Sequence, residues 1–231
     1  MRSKPDSLAA RQTCTAIIFD FEGTLVDFQW QLAPAEDQLR RAFAELGFAG
    51  EEFSRGTYAT MWNAAAALCA TQESMARLHQ ALFPIYDRWD ADALSRWAPR
   101  PDAVAVLRRL VAAGMRVGMV SNIGRATLVE ALRRFDLAGL LSPVVSRDDV
   151  TCMKPAAEGI LRVLARWQIG PSEMLFVGDS LADVRGARAA GIPVAIIRGG
   201  EAAETAFAEN QPDHMISELS ELIELVGAKA A

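Results

Sequence analysis

The 231-residue sequence has only three cysteines and two histidines, and it has no long hydrophobic run. The cysteines lie far apart at Cys14, Cys69 and Cys152, which excludes a disulfide framework or a zinc site built from cysteine pairs. No apolar stretch approaches the ~20 residues that span a bilayer, and residues 1–12 lack the apolar stretch of a signal peptide. We therefore expect a cytoplasmic protein without a membrane partner.

Lysine is the other scarce residue. The 24 basic residues include three lysines, at positions 4, 154 and 229, so 21 are arginines. Lys154 is the only lysine away from the chain ends, which suggests a role that a guanidinium cannot fill. The arginines are scattered and the net charge is −5, so no basic stripe can follow a nucleic acid backbone. We therefore do not expect nucleic acid to be the main partner.

The composition is that of an ordinary globular protein, with 51% hydrophobic and 23% charged residues. Short apolar runs alternate with stretches of helical periodicity that end in Gly or Pro, a pattern typical of parallel sheets. It predicts an α/β fold with a doubly wound, Rossmann-like parallel sheet. The predicted strands are 15–20, 115–122, 173–180 and 193–197; the predicted helices are 102–114 with Asp102 as N-cap, 125–135, 156–167, 181–190 and an amphipathic helix at 218–226.

Residues 28–97 interrupt the alternation, because they repeat helical patterns and contain no convincing buried strand. We predict a separate helical insert there, with most of its aromatic residues forming its own core. The α/β core then comprises residues 14–27 and 98–231. Residues 1–13 are polar and aperiodic, and we expect a flexible tail.

Polar residues follow three of the predicted strands. Asp20 ends the first strand, Ser121 and Asn122 the second, and Asp179 and Ser180 the third. Ligands of open α/β sheets bind outside the carboxyl ends of the strands, so these side chains should meet there. Together with Lys154 and Asp183 they supply hard oxygen ligands for Mg²⁺ and donors for phosphate oxygens.

Four segments, in this order, resemble the motifs of the haloacid dehalogenase superfamily: DFEGT at 20–24, SN at 121–122, KP at 154–155 and GDSLADVRGA at 178–187. The resemblance extends over about residues 15–200 and favours the branch similar to phosphoglycolate phosphatase. It implies that the insert is a helical cap. It also implies a Mg²⁺-dependent phosphatase that acts on a small phosphorylated metabolite.

The resemblance also implies a role for each matching residue. Asp20 is expected to be the nucleophile that forms an aspartyl-phosphate, and Glu22 to be the general acid and base. The implied metal ligands are Asp20, Asp179 and the backbone carbonyl of Glu22. The remaining implied residues are Ser121, Asn122 and Lys154 for phosphate binding, and Thr24, Ser180 and Asp183 in support of the ligands.

Position 22 departs from the pattern, because phosphatases of this superfamily usually carry Asp there. The extra methylene of Glu22 moves the carboxyl group by about 1.5 Å, and a misplacement on that scale can cost ~100-fold in rate. The alternatives are a phosphomutase, a dehalogenase, or a catalytically impaired binding or regulatory protein. The pair Asp179 and Asp183 argues against a metal-free dehalogenase. Residues 28–97 contain no lysine, which argues against Schiff-base hydrolysis of a phosphonate.

Within the insert, Arg55 is the first candidate for a substrate contact, because arginine favours bidentate recognition of anions. The other candidates are Tyr58, Asn63, His79 and Arg88. The sequence does not identify the substrate or the oligomeric state.

Overall fold

A parallel β-sheet forms the centre of the protein. The computed structural model describes residues 14–228, so the predicted tail at 1–13 lies outside the described residues. The sheet has six strands in the order β3-β2-β1-β4-β5-β6, and every neighbouring pair is parallel. The strands are β1 (Ala16–Phe19), β2 (Arg116–Val120), β3 (Val144–Val145), β4 (Met174–Gly178), β5 (Val194–Ile197) and β6 (His214–Ile216).

The four strands predicted from apolar runs are β1, β2, β4 and β5, and they form the middle of the sheet together. The residues of β1 alternate between two apolar cores, with Ile17 and Phe19 on one face of the sheet and Ala16 and Ile18 on the other. Both faces are therefore covered, as the doubly wound prediction requires. The sequence analysis missed β3 and β6, because strands of two and three residues leave no recognisable apolar run.

Helices of the core cover these two faces. They are α5 (Ala103–Ala112), α6 (Arg125–Arg134), α7 (Glu158–Trp167), α8 (Leu181–Ala189) and α9 (Leu222–Leu225). Asp102 is the N-cap residue of α5, as predicted, although its side chain makes no capping hydrogen bond and instead accepts one from the backbone N–H of Ser220 at 2.8 Å. The helix predicted at 218–226 is a 3₁₀ turn followed by the short α9.

Four helices between β1 and α5 form the segment that we call the helical segment 32–94. They are α1 (Leu32–Glu45), α2 (Glu51–Ser54), α3 (Tyr58–Leu68) and α4 (Gln72–Leu94). The buried Phe43 and Phe53 lie 5.4 Å apart between ring centroids, so aromatic residues do fill the interior of this segment. The segment that leaves the core and the segment that returns to it lie side by side, where Val26 pairs with Pro99 in an antiparallel bridge. Among residues 14–228, no helix has the length and apolar character needed to cross a membrane.

Helix α5 offers a direct test of the packing. Leu107 is fully buried, whereas Val111 on the same helix is 43% exposed. We expect Leu107→Ala to lower the free energy of unfolding by about 2 to 5 kcal/mol, because it removes buried methyl groups and leaves a cavity. Val111→Ala should change that free energy by less than about 0.5 kcal/mol. Urea denaturation followed by circular dichroism measures both, and equal losses in the two variants would contradict the buried position of Leu107.

Candidate active site

Three strand ends bring the candidate residues to one edge of the sheet. Asp20 directly follows β1, and its backbone N–H donates to the carbonyl of Val177 in β4 at 2.8 Å. Ser121 follows β2, and its N–H donates to the carbonyl of Val145 in β3 at 2.9 Å. Because the strands are parallel and in register, Asp179 after β4 lies at the same edge. This is the edge that the sequence predicted.

Lys154 is the positive charge at this edge. Its Nζ lies 2.7 Å from Oδ1 of Asp20 and 2.7 Å from Oδ1 of Asp183, and its side chain is buried. Burial would lower the pKa of Lys154, but the two carboxylates outweigh it, so the pKa is raised and the amine stays protonated. Burial raises the pKa of Asp20 to about 6 despite the attraction of Lys154.

Asp183 is held at the start of α8. Its Oδ2 accepts hydrogen bonds from the backbone N–H groups of Asp179 and Ser180 at 3.1 and 3.0 Å, and from Ser180 Oγ at 2.7 Å. Ser180 Oγ in turn accepts from the N–H of Asp183, which completes a reciprocal N-terminal cap. These contacts fix the carboxylate that holds Lys154, and the supporting role of both residues toward the metal ligands stays a prediction.

Asp179 is oriented by a donor on each oxygen. Thr24 Oγ1 donates to its Oδ1 at 2.9 Å, and the backbone N–H of Glu201 donates to its Oδ2 at 2.6 Å. Two glycines leave the space that this carboxylate occupies. A Cβ at Gly23 would lie 2.1 Å from Asp179 Oδ2, and one at Gly200 would lie 2.2 Å from the same atom. Each loop can therefore lie this close to Asp179 only because it has glycine at this position, Gly23 in one loop and Gly200 in the other.

A cluster of three carboxylates could hold a metal ion. One oxygen from each of Asp20, Asp179 and Asp183 lies within 4.8 Å of the others. Burial, followed by repulsion from Asp183 and Asp20, raises the pKa of Asp179 well above its usual value. A divalent cation would relieve this repulsion, and an all-oxygen donor set suits Mg²⁺. The residues present thus fit the predicted metal, whereas ligation by the carbonyl of Glu22 stays a prediction.

Glu22 is held by one oxygen of its carboxyl group. Oε1 accepts hydrogen bonds from the backbone N–H of Trp30 at 2.6 Å, the indole Nε1 of Trp97 at 2.8 Å and the backbone N–H of Gln29 at 2.9 Å. Burial raises the pKa of Glu22 to about 8, although the three donors oppose the shift. The carboxyl group therefore occupies a defined position in spite of the longer side chain.

Both polar atoms of the Asn122 side chain form hydrogen bonds within the protein. Its Oδ1 accepts from the backbone N–H of Lys154 at 2.9 Å, and its Nδ2 donates to the carbonyl of Lys154 at 3.1 Å. The same Nδ2 lies 3.2 Å from the hydroxyl of Tyr58. Asn122 is thus placed to orient Lys154 and Tyr58, and it lines the pocket together with Ser121.

The pocket lies between the sheet edge and the helical segment 32–94. Its empty volume, including the part open to solvent, is about 470 Å³. The core contributes Asp20, Lys154 and Ser121, and the helical segment contributes Tyr58 and Tyr86. A small ligand would therefore meet charged groups on one side and aromatic rings on the other.

Four polar residues proposed as substrate contacts lie elsewhere. The side chain of Arg55 is 80% exposed, pairs with Glu51 at 3.1 Å and does not line the pocket. Asn63 bonds both backbone groups of Met153 at 2.8 Å. His79 packs on Trp62 and Phe83, and the guanidinium of Arg88 lies 5.5 Å from the ring of Trp89. Tyr58 is the candidate from the insert that reaches the pocket.

The sequence analysis missed several residues of this site. Asp90 and Arg147 line the pocket as a buried ion pair 2.8 Å apart, and Trp30 and Trp97 hold Glu22. The sequence contains a signal for the two tryptophans, because aromatic residues are abundant in the insert. Asp90 and Arg147 are 57 residues apart in the sequence, and no motif contains either of them.

Comparison with known proteins identifies the family of this chain. Residues 14–191 match the model of the haloacid dehalogenase-like hydrolases. The chain belongs to this family. It is also 30% identical over 240 residues to the phosphoglycolate phosphatase of Salmonella typhimurium, with 94% of each chain covered. The phosphoglycolate phosphatase of Escherichia coli K12 is 30% identical over 235 residues, with 91% of this chain and 92% of the relative covered.

Solved structures show the same fold for this haloacid dehalogenase-like hydrolase. A haloacid dehalogenase-like protein from Bacteroides fragilis superimposes with a TM-score of 0.66 at 24% identity, covering 90% of this chain and 99% of that one. A hydrolase of the superfamily from Geobacter sulfurreducens gives a TM-score of 0.59 at 21% identity, covering 93% and 97%. The predicted family and fold class are therefore confirmed, and so is the prediction of a hydrolase similar to phosphoglycolate phosphatases.

Gly200 allows a test of the acidic cluster in this hydrolase. In Gly200→Ala the new Cβ would lie 2.3 Å from Cβ of Asp179, so the carboxylate must move. We expect the affinity for Mg²⁺ to fall by about 10- to 100-fold, because Asp179 loses the orientation that suits the ion. Isothermal titration calorimetry with MgCl₂ measures the change. Gly170→Ala, whose Cβ meets its nearest atom at 3.6 Å, is the matched control, and unchanged affinity in Gly200→Ala would contradict the metal site.

Proposed function

We propose that this protein is a Mg²⁺-dependent phosphatase that hydrolyses a small phosphate monoester through a phosphoryl group on Asp20. The contact between Lys154 Nζ and Asp20 Oδ1 at 2.7 Å carries the proposal. It places a buried, protonated amine beside a carboxylate at the open edge of the sheet. An anionic nucleophile can approach an anionic phosphate only where such positive charge is present.

The reaction divides into two displacements at phosphorus. A carboxylate oxygen of Asp20 forms a bond to phosphorus, while the bond from phosphorus to the alcohol oxygen breaks. Glu22 gives its proton to the departing oxygen, so that an alcohol leaves. Glu22 then takes a proton from water, and this water attacks phosphorus and releases Asp20 and inorganic phosphate. Each carboxyl group ends in its starting state.

The surrounding residues hold the phosphoryl group during both displacements. A Mg²⁺ ion held by Asp20 and Asp179 would add positive charge beside the phosphate oxygens. Lys154 offers further charge, and the hydroxyl of Ser121, buried at the end of β2, offers a donor to these oxygens. Asp183 stays paired with Lys154 and keeps the amine directed at Asp20.

The relatives indicate the substrate class. Those from Salmonella typhimurium and Escherichia coli are phosphoglycolate phosphatases. Phosphoglycolate is therefore the first ester to test, followed by other small monoesters.

Phosphate release from this panel, measured with and without Mg²⁺, tests the proposed function. We expect turnover in MgCl₂ that a chelator abolishes and that returns when Mg²⁺ is restored. Asp20→Asn should lower kcat by several orders of magnitude, because the amide cannot attack phosphorus. The matched control is Asp37→Asn, since the side chain of Asp37 is 62% exposed and pairs only with Arg40 in the structure.

Two outcomes would contradict the proposal. One is a folded wild-type protein that binds Mg²⁺ but hydrolyses none of the esters, which would favour a binding protein. The other is full activity in Asp20→Asn. Transfer of phosphate between two positions of one sugar, without release of inorganic phosphate, would instead indicate a phosphomutase.

Glu22→Asp restores the residue that is usual in the superfamily, and we nevertheless expect it to slow the enzyme. The three donors at 2.6 to 2.9 Å are placed for the longer side chain, so a shorter one would lose them or pull the carboxyl group out of place. A decrease in kcat of about 10- to 100-fold is expected from a shift of this size. Steady-state kinetics on the best ester measures it, and a faster Glu22→Asp enzyme would show that the glutamate limits the rate.

A further inference from the structure

Asp90 is a fully buried carboxylate of α4 that receives donors from three different parts of the chain. Its Oδ1 accepts from the indole Nε1 of Trp30 at 3.1 Å. Its Oδ2 accepts from the backbone N–H of Gly124 at 2.9 Å and from Arg147 at 2.8 Å. Two of these donors belong to the core, so Asp90 joins the helical segment 32–94 to the sheet edge.

Arg147 completes the connection from the side of the core. Its guanidinium also donates to the carbonyl of Asn122 at 3.1 Å and to Oδ1 of Asp87 at 2.5 Å. The rings of Phe83 and Tyr86 lie 5.2 and 5.1 Å from it. Side chains of α4 therefore contact the guanidinium of Arg147 on several sides. The guanidinium also contacts Asn122, the residue that orients Lys154.

A chain of contacts leads from Asp90 to the predicted proton donor. The indole of Trp30 donates to Asp90, and the backbone N–H of the same residue donates to Oε1 of Glu22 at 2.6 Å. The ring of Trp30 also packs against Tyr58, with 4.7 Å between centroids. A displacement of Trp30 would therefore move the anchor of Glu22.

A buried ion pair is an expensive way to join two parts of a protein. The desolvation of both charges can exceed their attraction, and apolar side chains of similar volume often stabilise as well or better. The pair instead gives the carboxylate of Asp90 a defined position, because this group accepts hydrogen bonds from three donors that lie in different directions. We read the pair as a device for orientation.

We propose that Asp90 is a positioning residue, which fixes Trp30 through its pairing with Arg147 and thereby places the carboxyl group of Glu22 at the leaving group. The role rests on the proposed function, in which Glu22 protonates the departing alcohol. This role predicts a selective loss of activity, because only esters whose leaving group needs this proton depend on the placement of Glu22. An aryl phosphate whose phenolate departs unassisted does not need it, whereas an alkyl phosphate does.

Asp90→Asn and Asp87→Asn form a matched pair of variants. Both change a carboxylate that contacts Arg147, but the side chain of Asp90 is 1% exposed and that of Asp87 is 60% exposed. Among the described residues, Asp87 accepts no hydrogen bond from Trp30 or Gly124, and its hydrogen-bond donor is Arg147. Each variant is assayed in MgCl₂ with 4-nitrophenyl phosphate and with the best alkyl monoester of the wild-type enzyme. Thermal unfolding in the same buffer shows whether each variant is folded at the assay temperature.

Asp90→Asn should lower kcat for the alkyl ester by about 10- to 100-fold, because its amide group cannot satisfy all three donors and Glu22 shifts. For the aryl ester we expect a loss of less than about threefold, and Asp87→Asn should leave both values within about twofold. Glu22→Gln should show the same selective loss. In the double variant with Asp90→Asn, the loss should not exceed that of Glu22→Gln alone, because both changes act on one group.

Several results would overturn the role of Asp90. These are equal losses on the two esters, multiplied losses in the double variant, or an effect of Asp87→Asn as large as that of Asp90→Asn. Should Asp90→Asn fail to fold, Trp30→Phe takes its place, since it removes the indole donor and keeps the backbone N–H; equal losses on the two esters would overturn the role in that variant too. A wild-type enzyme that hydrolyses neither ester refutes the proposed function itself and this role with it.

Discussion

The site depends on the buried amine of Lys154 between Asp20 and Asp183. Three carboxylates converge at this edge of the sheet, and without a cation their mutual repulsion and their burial would drive them to protonate. The protein meets this constraint by fixing both sides of the contact. Asn122 holds the backbone of Lys154, and the start of α8 holds Asp183. The position of the predicted nucleophile is therefore set by a charge balance within the fold.

The second constraint is the length of the side chain at position 22. All the donors described for Glu22 contact its Oε1, and two of them are backbone N–H groups of residues 29 and 30 at the entry to the helical segment. The third comes from Trp97, where the chain returns to the core. The length of the Glu22 side chain thus matches the positions of the two chain segments that connect the helical segment to the core. The sequence alone showed a departure from the family pattern, and the structure shows surroundings built around that departure.

The sequence predicts the centre of the fold because fully buried strands of four or five residues leave clear apolar runs. It predicts the edge of the sheet as the site because Asp20, Ser121 and Asp179 directly follow such runs. It cannot predict β3 or β6, which are too short for a pattern. The pair of Asp90 and Arg147 is hidden for another reason: α4 is a 23-residue helix with charges along its length, and only the three-dimensional structure shows which one is buried.

The structure also explains why, of the two candidates for a substrate contact, Tyr58 reaches the pocket and Arg55 does not. Both residues lie near the junction of α2 and α3, and arginine has the stronger affinity for anions. The N-terminal cap of α3 by Thr57 fixes where that helix begins, and its first residue, Tyr58, then faces Trp30 and Asn122. Arg55 precedes this cap and points to solvent with Glu51. Local helix capping, rather than charge, therefore favours Tyr58 over Arg55 at the pocket, and contacts with Trp30 and Asn122 connect Tyr58 to the groups that hold Glu22 and Lys154.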